Sequence, residues 1–189
     1  MPRQAAGRAP VLAGAGTNDT RGTVELCGAA KEMGADGALV VVPYYNKPTQ
    51  AGLEAHYRAA ADVGLPVVMY NVPGRTSCAM DVDTIAALAD HPNIVAIKEA
   101  TADIAFGSEI HRRCGDRLAL LSGDDFTALA LWAVGGSGSI SVTANIAPRQ
   151  CAAMWDAFSA GDLHEARRLH ERMLPLHEAM FVETNPIPV

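Results

Sequence analysis

The sequence predicts an α/β fold in which six successive βα units share one parallel sheet and two further helices follow. Six short apolar runs recur along the chain, about 22 to 29 residues apart, and each is followed by a helical pattern. After the last run the alternation stops, and two consecutive helical patterns complete the chain. Strands and helices that alternate in this way are typical of parallel sheets.

We predict one strand at each apolar run, because runs rich in β-branched residues are typical of strands covered on both faces. The predicted strands comprise residues 11–13, 38–42, 67–70, 94–98, 118–121 and 140–142. The fourth run carries the most chemical information, since four apolar residues lead directly to Lys98.

Helices are predicted where apolar residues recur at helical spacing. They comprise residues 23–33, 50–63, 81–89, 104–114, 126–134, 148–160 and 163–181. Thr49 and Asp162 are expected to cap two of these helices. A glycine directly follows several of them, which favours a left-handed closing residue.

Composition and charge are those of an ordinary soluble globular protein. The chain has 189 residues, 49% of them hydrophobic and 19% charged, so one domain with a sizeable core is expected. A net charge of -6 without a basic run argues against a nucleic-acid partner, and no apolar run has the length of a membrane span. Residues 1–8 carry positive charge without a hydrophobic segment behind them, so we expect no secretory signal. Four widely spaced cysteines favour thiols in a cytoplasmic protein over disulfides.

The number of units leaves two architectures open. A closed parallel barrel has eight strands and typically about 250 residues, whereas an open doubly wound sheet can have six strands. The open sheet would bind its ligand beside a glycine-rich loop, and the candidate at residues 14–19 lacks the third glycine of that pattern. We interpret this segment as a turn.

The side chains with distinctive chemistry lie at the C-terminal ends of the predicted strands, where barrels of this class carry their active sites. Tyr44 and Tyr45 follow the second strand, Tyr70 and Arg75 follow the third, and Lys98 ends the fourth. A lysine at the end of a buried strand can lose part of its hydration, which lowers its pKa and frees the amine to attack a carbonyl. The alternatives are a lysine that reaches water, tyrosines that pack at an interface and an arginine in a solvated turn.

This combination favours a Schiff base between Lys98 and a 2-keto acid, with a tyrosine to move protons and Arg75 to bind a carboxylate. No metal, dinucleotide or other cofactor is implied, because the glycine, serine and histidine patterns of such sites are not met. Asp124 and Asp125 are expected to cap the following helix. The histidines expected at the surface or at helix ends are His56, His91, His111 and His177.

Six motifs together resemble the dihydrodipicolinate synthase (4-hydroxy-tetrahydrodipicolinate synthase) family. They are PYYNKP at 43–48, YNVPGRT at 70–76, IKEAT at 97–101, LSGDD at 121–125, GSISVTAN at 138–145 and FVETNPIPV at 181–189. The resemblance extends from about Gly7 to the end, with the motifs in the family's order. It implies a (β/α)8 TIM barrel followed by C-terminal helices, and a homotetramer built as a dimer of dimers.

The resemblance implies a class I aldolase-type lyase without a cofactor. Its reaction would condense pyruvate with L-aspartate 4-semialdehyde to 4-hydroxy-tetrahydrodipicolinate, in the diaminopimelate route of lysine biosynthesis. Lys98 matches the Schiff-base lysine, Tyr70 the proton donor and acceptor, and Tyr45 a relay tyrosine that acts in a neighbouring subunit. The positions that match substrate-binding residues are Arg75, Gly123 and Ile140. The positions that match the lysine-inhibitor site are Asn18 and Tyr44, while Gly22 replaces the glutamate of inhibitable members.

Parts of the family pattern are missing from this sequence. The first two βα units are absent, together with a Gly-Thr-Thr-Gly-Glu loop that supplies a relay threonine and carboxylate-binding amides, and so is most of the C-terminal helical region. We therefore expect a fragment: a partial barrel of about six units at residues 1–147 and the start of the helical region at 148–189. Lost donors of this kind typically lower rates by orders of magnitude, so we expect impaired activity.

Two alternative functions stay open. One is a related pyruvate-dependent aldolase, either an N-acetylneuraminate lyase or a 2-keto-3-deoxy sugar acid aldolase, because these relatives share the tyrosine and lysine pair. Arg75 in its proline turn favours the synthase over them. The other is a non-catalytic protein that acts only by assembling with other barrel subunits, which would also cover its exposed sheet edges.

Overall fold

The computed structural model describes residues 2–5 and 7–189, and its central element is a six-stranded parallel sheet. The strands neighbour one another in chain order, from β1 at one edge to β6 at the other. Their bounds are β1 Leu12–Gly14, β2 Gly37–Val41, β3 Val67–Asn71, β4 Ile94–Glu99, β5 Ala119–Ser122 and β6 Gly138–Ser139. The predicted α/β class and the number of strands are confirmed.

The position of the sixth strand differs from the prediction. β6 comprises Gly138–Ser139, whereas the sequence predicts a strand at residues 140–142. One carboxylate oxygen of Asp125 accepts hydrogen bonds from the backbone N–H groups of Val142 and Thr143, each at 3.0 Å. Because these bonds hold the backbone in a turn that begins a 3-10 helix at Thr143, the apolar run does not continue as a strand.

Helices follow the strands, and most lie close to their predicted bounds. They are α1 Pro2–Ala5, α2 Thr20–Glu32, α3 Gln50–Ala61, α4 Pro73–Thr76, α5 Val82–Leu88, α6 Ile104–Cys114, α7 Ala128–Ala133, α8 Pro148–Ser159 and α9 Leu163–Ala179, with 3-10 turns at Gly115–Arg117 and Thr143–Asn145. The sequence did not predict the short α1 and α4. Pro73 begins α4, where its fixed φ suits a first helical residue.

The predicted helix caps are confirmed. Thr49 Oγ1 accepts from Gly52 N at 3.2 Å, and Asp162 Oδ1 accepts from Glu165 N at 2.9 Å. Each bond satisfies one of the backbone donors that a helix start leaves without a partner.

The register of β3 against β4 decides the geometry of the site. Tyr70 pairs with Lys98, and Asn71 pairs with Glu99. Successive residues of a strand point to opposite faces of a sheet. Lys98 and Tyr70 therefore share one face, and Asn71 and Glu99 share the other.

The helices pack on the face that carries Asn71 and Glu99, and the main apolar core lies between them and the sheet. Large buried members of this core are Val40, Leu53, Tyr57, Met69, Ile85, Ile97, Ile110, Leu120 and Leu131. Burying a side chain of this size stabilises a fold by roughly 1.5–3 kcal/mol. The Tyr57 hydroxyl donates to Val40 O at 3.0 Å, so its polar atom is satisfied within the core.

The opposite face of the sheet is less covered. Leu39, Val41 and Tyr70 are only half-buried there, and β1 and β6 each pair with one strand, so both are open edges. Helices α8 and α9 pack against each other and, through a second apolar cluster that includes Trp132 and Met154, against α7. The proposed division at residues 147 and 148 stays a prediction. Within residues 2–5 and 7–189, no helix combines the length and apolar character needed to cross a membrane.

Candidate active site

Lys98 lies near the C-terminal end of β4 and is largely shielded from water. Its side chain is 9% exposed, and its Nζ lies 4.0 Å from the centroid of the Tyr70 ring. Burial lowers the pKa of Lys98, and the negative charge of Asp125 partly opposes this effect. A larger share of the amine is therefore neutral near pH 7 than for a solvated lysine, and the neutral amine is the nucleophilic form.

Tyr70 presents the face of its ring to this amine. Burial raises the pKa of the Tyr70 phenol, and the positive charge of Arg75 partly opposes the rise. The phenol is therefore protonated near pH 7 and can donate a proton to an atom bound beside Lys98. A cation above an aromatic ring is also favourable, which keeps the protonated lysine in place when no substrate is bound.

Arg75 is exposed on the short α4, one turn beyond Tyr70. Among residues 2–5 and 7–189, no carboxylate forms a salt bridge with its guanidinium. The neighbouring Thr76 is buried, and its hydroxyl lies within hydrogen-bond distance of Val72 O and Cys78 O, which fixes the turn that carries the arginine. The guanidinium is thus available to bind an anion near the lysine.

Gly123 follows β5 and lies directly against Lys98. A Cβ atom at this position would lie 2.8 Å from Lys98 Cε and 2.7 Å from Ala100 Cβ, both closer than ordinary carbon contacts. Glycine is therefore required for the lysine to keep its present conformation.

Replacing Gly123 with alanine is expected to slow imine formation at Lys98 roughly tenfold and to lower the free energy of unfolding by about 1–3 kcal/mol, because the added methyl overpacks the site. Borohydride trapping of a keto acid and urea denaturation measure the two effects. Gly28→Ala in α2 is the matched control, since nothing lies within 4 Å of its added Cβ. Equal trapping rates for Gly123→Ala and the unmodified protein would contradict the proposed contact.

Asp125 is the nearby anion of the site. It is buried, one of its oxygens accepts the two backbone N–H groups after β6, and its charge acts on Lys98. The prediction that both aspartates cap the next helix is wrong for Asp124, which accepts from Thr127 N at 2.9 Å in the turn before α7, while no side chain caps the start of α7 itself. It is also wrong for Asp125, because the amides of Val142 and Thr143 hold that carboxylate instead.

Asp125→Asn is expected to move the pH profile of imine formation to lower pH, because removal of the negative charge lowers the pKa of Lys98 further. The asparagine oxygen can still accept both backbone N–H groups, so the loop should keep its shape. Trapping rates measured between pH 5 and 10 test this, with Asp124→Asn as the control that leaves the profile in place. A shift of the profile to higher pH would show that the present role of Asp125 is misassigned.

Ile140 lies just beyond β6 and remains attached to the sheet. Its backbone N donates to Ser122 O at 2.8 Å, and its side chain is half-buried. Its position beside β5 and Gly123 is compatible with a place in the pocket wall. Its role stays a prediction.

Tyr44 and Tyr45, which follow β2, do not pack against Lys98. Tyr45 has φ of 71°, in the left-handed region that non-glycine residues rarely adopt, and its backbone N donates to Thr76 O at 3.3 Å. This geometry directs the side chain into solvent, where it is 86% exposed. Tyr44 is also exposed, although less so.

Asn18, which follows β1, is connected to the loop that carries Tyr44. Asn46 Nδ2 donates to Asn18 O at 2.7 Å, and the Asn18 side chain is half-buried. The structure therefore brings together the two loops with the predicted inhibitor-site positions. The inhibitor role of these positions stays a prediction.

Three buried polar groups do not follow from the sequence. Asn71 and Glu99 form a hydrogen-bonded pair behind Tyr70 and Lys98, and the signal for them was a polar residue directly after each of these two side chains. The second group is His177, predicted at the surface or at a helix end. It lies in the last turn of α9, but it is buried, and its Nδ1 lies 2.7 Å from Thr143 Oγ1. His56, in α3, is likewise buried rather than exposed, and its Nδ1 lies 2.9 Å from the hydroxyl of Thr20, an exposed residue at the start of α2.

Comparison with known proteins gives one consistent family. A sequence model described as the dihydrodipicolinate synthetase family matches residues 2–189. A 4-hydroxy-tetrahydrodipicolinate synthase of Thermodesulfovibrio yellowstonii is 55% identical over 183 residues, which are 96% of this chain and 63% of the relative. The chain thus spans less than two thirds of the length of this curated relative.

Solved structures share the fold. The crystal structure of dihydrodipicolinate synthase from Aquifex aeolicus superimposes with a TM-score of 0.97 at 46% identity, over 99% of this chain and 64% of that one. A chloride-inhibited dihydrodipicolinate synthase from Acinetobacter baumannii, complexed with pyruvate, gives 0.96 at 47% identity, over 99% of this chain and 65% of its own. The prediction of a partial (β/α)8 barrel is confirmed.

Proposed function

Because this chain belongs to the dihydrodipicolinate synthetase family, we propose that it binds pyruvate as a Schiff base on Lys98 and condenses it with L-aspartate 4-semialdehyde. The product is 4-hydroxy-tetrahydrodipicolinate, an intermediate of lysine biosynthesis. The observation that carries the proposal is the Lys98 amine, buried and 4.0 Å from the Tyr70 ring. The pyruvate complex of the related Acinetobacter baumannii protein supports the choice of keto acid.

In the first half of the reaction the neutral Lys98 amine adds to the ketone carbon of pyruvate. The adduct loses water to give a protonated imine, and removal of a methyl proton then gives an enamine. The Tyr70 phenol donates the proton that leaves with water, and its phenolate takes up the methyl proton. Lys98 is the covalent nucleophile, and Tyr70 is the general acid and base.

In the second half the enamine carbon adds to the aldehyde carbon of the semialdehyde, and the aldehyde oxygen takes up a proton. The amino group of the same substrate then attacks the imine carbon, which closes the ring and releases the Lys98 amine. Arg75 binds the carboxylate of the semialdehyde through its guanidinium, which has no carboxylate partner among the described residues. Gly123 and Ile140 line the pyruvate pocket.

Assembly is part of the proposal. The outward direction and 86% exposure of Tyr45 suit a side chain that completes a neighbouring subunit's site, as in a homotetramer built from dimers. A cytoplasmic location completes it. Asn18 and Tyr44 match positions of the lysine-inhibitor site, but because Gly22 replaces the glutamate of inhibitable members, feedback inhibition is not part of the proposal.

The function is tested by product analysis. The protein is incubated with pyruvate and L-aspartate 4-semialdehyde, and separately with N-acetylneuraminate or a 2-keto-3-deoxy sugar acid. We expect the condensation product only in the first incubation, at a rate orders of magnitude below that of a full-length relative. Pyruvate release from a sugar acid would favour the aldolase alternative, and no product despite imine formation would favour the non-catalytic assembly role. Lys98→Ala, which has no amine at this position, is the negative control.

A further inference from the structure

A buried polar pair lies behind the lysine and the tyrosine, on the helix-covered face of the sheet. Asn71 is 0% exposed and Glu99 is 3% exposed. Asn71 Nδ2 donates to Glu99 Oε2 at 2.8 Å, which joins the ends of β3 and β4. A buried carboxylate is expensive unless its oxygens are hydrogen-bonded, so a pair at this position needs a reason beyond packing.

The two side-chain oxygens of Glu99 and the side-chain oxygen and nitrogen of Asn71 can all be hydrogen-bonded in only one orientation of the two groups. Glu99 Oε1 accepts from Thr101 N at 2.5 Å, and Asn71 Oδ1 accepts from Met80 N at 3.1 Å. Because the Asn71 oxygen faces the Met80 N–H, its amide nitrogen must face Glu99, and that side chain must accept. The pair therefore fixes the direction of each amide and carboxyl atom.

The same two residues hold the neighbouring backbone. Asn71 O accepts from Ala100 N at 3.0 Å, and Glu99 O accepts from Gly123 N at 2.7 Å. The ends of β3, β4 and β5 are thus held together at the level of Lys98. A small change in this pairing would move the side chains on the other face.

We propose that Asn71 and Glu99 are positioning residues that hold the Tyr70 ring over the Lys98 amine by locking the ends of β3 and β4 from behind. The inference rests on the proposed function, since it gives a purpose to the geometry of Lys98 and Tyr70. Neither residue touches the substrate. Their effect reaches the chemistry only through the relative position of the two catalytic side chains.

The charged groups around the pair are few. Asp103 acts on Glu99 from the start of α6, and Asn71 and Thr101 bond to its carboxylate. Burial raises the pKa of Glu99, which these hydrogen bonds partly offset. On the other face Lys98 meets the Tyr70 ring and the charge of Asp125.

The test exchanges the donor and the acceptor. In Glu99→Gln an amide nitrogen faces the Asn71 amide nitrogen, and rotation of either amide only moves the donor-to-donor contact to Met80 N or Thr101 N. In the double variant Asn71→Asp with Glu99→Gln all three hydrogen bonds can form again, because the aspartate accepts from Met80 N and from the new amide, and the glutamine oxygen accepts from Thr101 N. The double variant is the matched control.

The readout is the reactivity of the Lys98 amine, measured without pyruvate. The full chain is labelled with acetic anhydride between pH 6 and 11, and the extent of acetylation at Lys98 is obtained by peptide mass mapping, with Lys31 and Lys47 as internal references. We expect Glu99→Gln to raise the midpoint of Lys98 acetylation by about one pH unit, because looser strand ends admit water to the amine. The double variant should restore the original midpoint.

Other outcomes overturn the inference. An unchanged midpoint in Glu99→Gln would show that the pair only stabilises the fold, and a lower midpoint would show a direct effect of the lost carboxylate charge on Lys98. If Glu99→Gln does not fold, the double variant is measured alone. The inference then requires that the double variant folds and that its Lys98 is acetylated with the original midpoint. Because acetylation needs no substrate, failure of the proposed pyruvate chemistry is seen separately, as a normal midpoint without a trapped imine.

Discussion

Lys98→Met is expected to abolish imine formation with pyruvate and, at the same time, to increase the free energy of unfolding by about 1 kcal/mol at pH 7. The first effect follows because methionine has no amine. The second follows because burial disfavours the charged ammonium in the folded protein, whereas the thioether of methionine carries no charge to desolvate. Borohydride trapping and urea denaturation measure the two effects on the same sample.

The stability gain has a defined dependence on pH. The pKa of Lys98 is lower in the folded state than in the unfolded state, so the unfolded chain binds more protons between these two values. The stability of the unmodified protein therefore rises with pH across that window, up to the ordinary lysine pKa of about 10.4. The gain in free energy of unfolding from Lys98→Met should be largest below the folded-state pKa of Lys98 and should shrink toward zero at alkaline pH.

Lys31→Met is the control for this substitution. Lys31 lies in the last turn of α2, where its Nζ donates to Val63 O at 2.7 Å on the exposed surface. This variant should keep pyruvate trapping and should gain no stability. A loss of trapping in Lys31→Met, or a destabilised Lys98→Met at pH 7, would contradict the assignment of Lys98 as the desolvated amine.

Tyr70→Phe is expected to slow proton exchange at the methyl group of pyruvate about a hundredfold and to slow imine formation as well, because the phenol moves the proton in both steps. Phenylalanine keeps the ring over the Lys98 amine but removes the hydroxyl that moves protons. The exchange rate is measured in deuterated water from the loss of the methyl signal in the proton NMR spectrum.

Tyr57→Phe provides the comparison for Tyr70→Phe. It removes a buried hydroxyl that donates to Val40 O, so it should lower stability by about 1 kcal/mol and leave methyl exchange unchanged. Equal exchange rates in Tyr70→Phe and the unmodified protein would mean that another group carries the proton.

Much of the fold could be predicted because its signals are local. Apolar runs, helical spacing and capping residues such as Thr49 and Asp162 act within a few residues of the chain, and the structure reproduces them. The sixth strand could not be predicted this way. Its bounds depend on Asp125, which captures two amides 17 and 18 residues further along the chain.

The site was predictable to a similar extent. Tyr70 and Lys98 each end a predicted strand, and neighbouring parallel strands bring their ends to one rim, so their proximity follows from the sequence. The hydrogen-bond partners of Glu99 and His177 do not follow from the sequence. A buried polar side chain is explained by the group that bonds to it, and these partners, Asn71 and Thr143, lie 28 and 34 residues away.

The most direct test of the central claim is to treat the chain with pyruvate and borohydride and to map the reduced adduct after trypsin digestion. Only three lysines are present, and modification of Lys98 blocks cleavage there, which leaves one peptide spanning residues 76–112. We expect the adduct on that peptide and none at Lys31 or Lys47. Folded protein that gives no adduct, or an adduct spread over all three lysines, would contradict the claim that Lys98 is a selectively activated nucleophile.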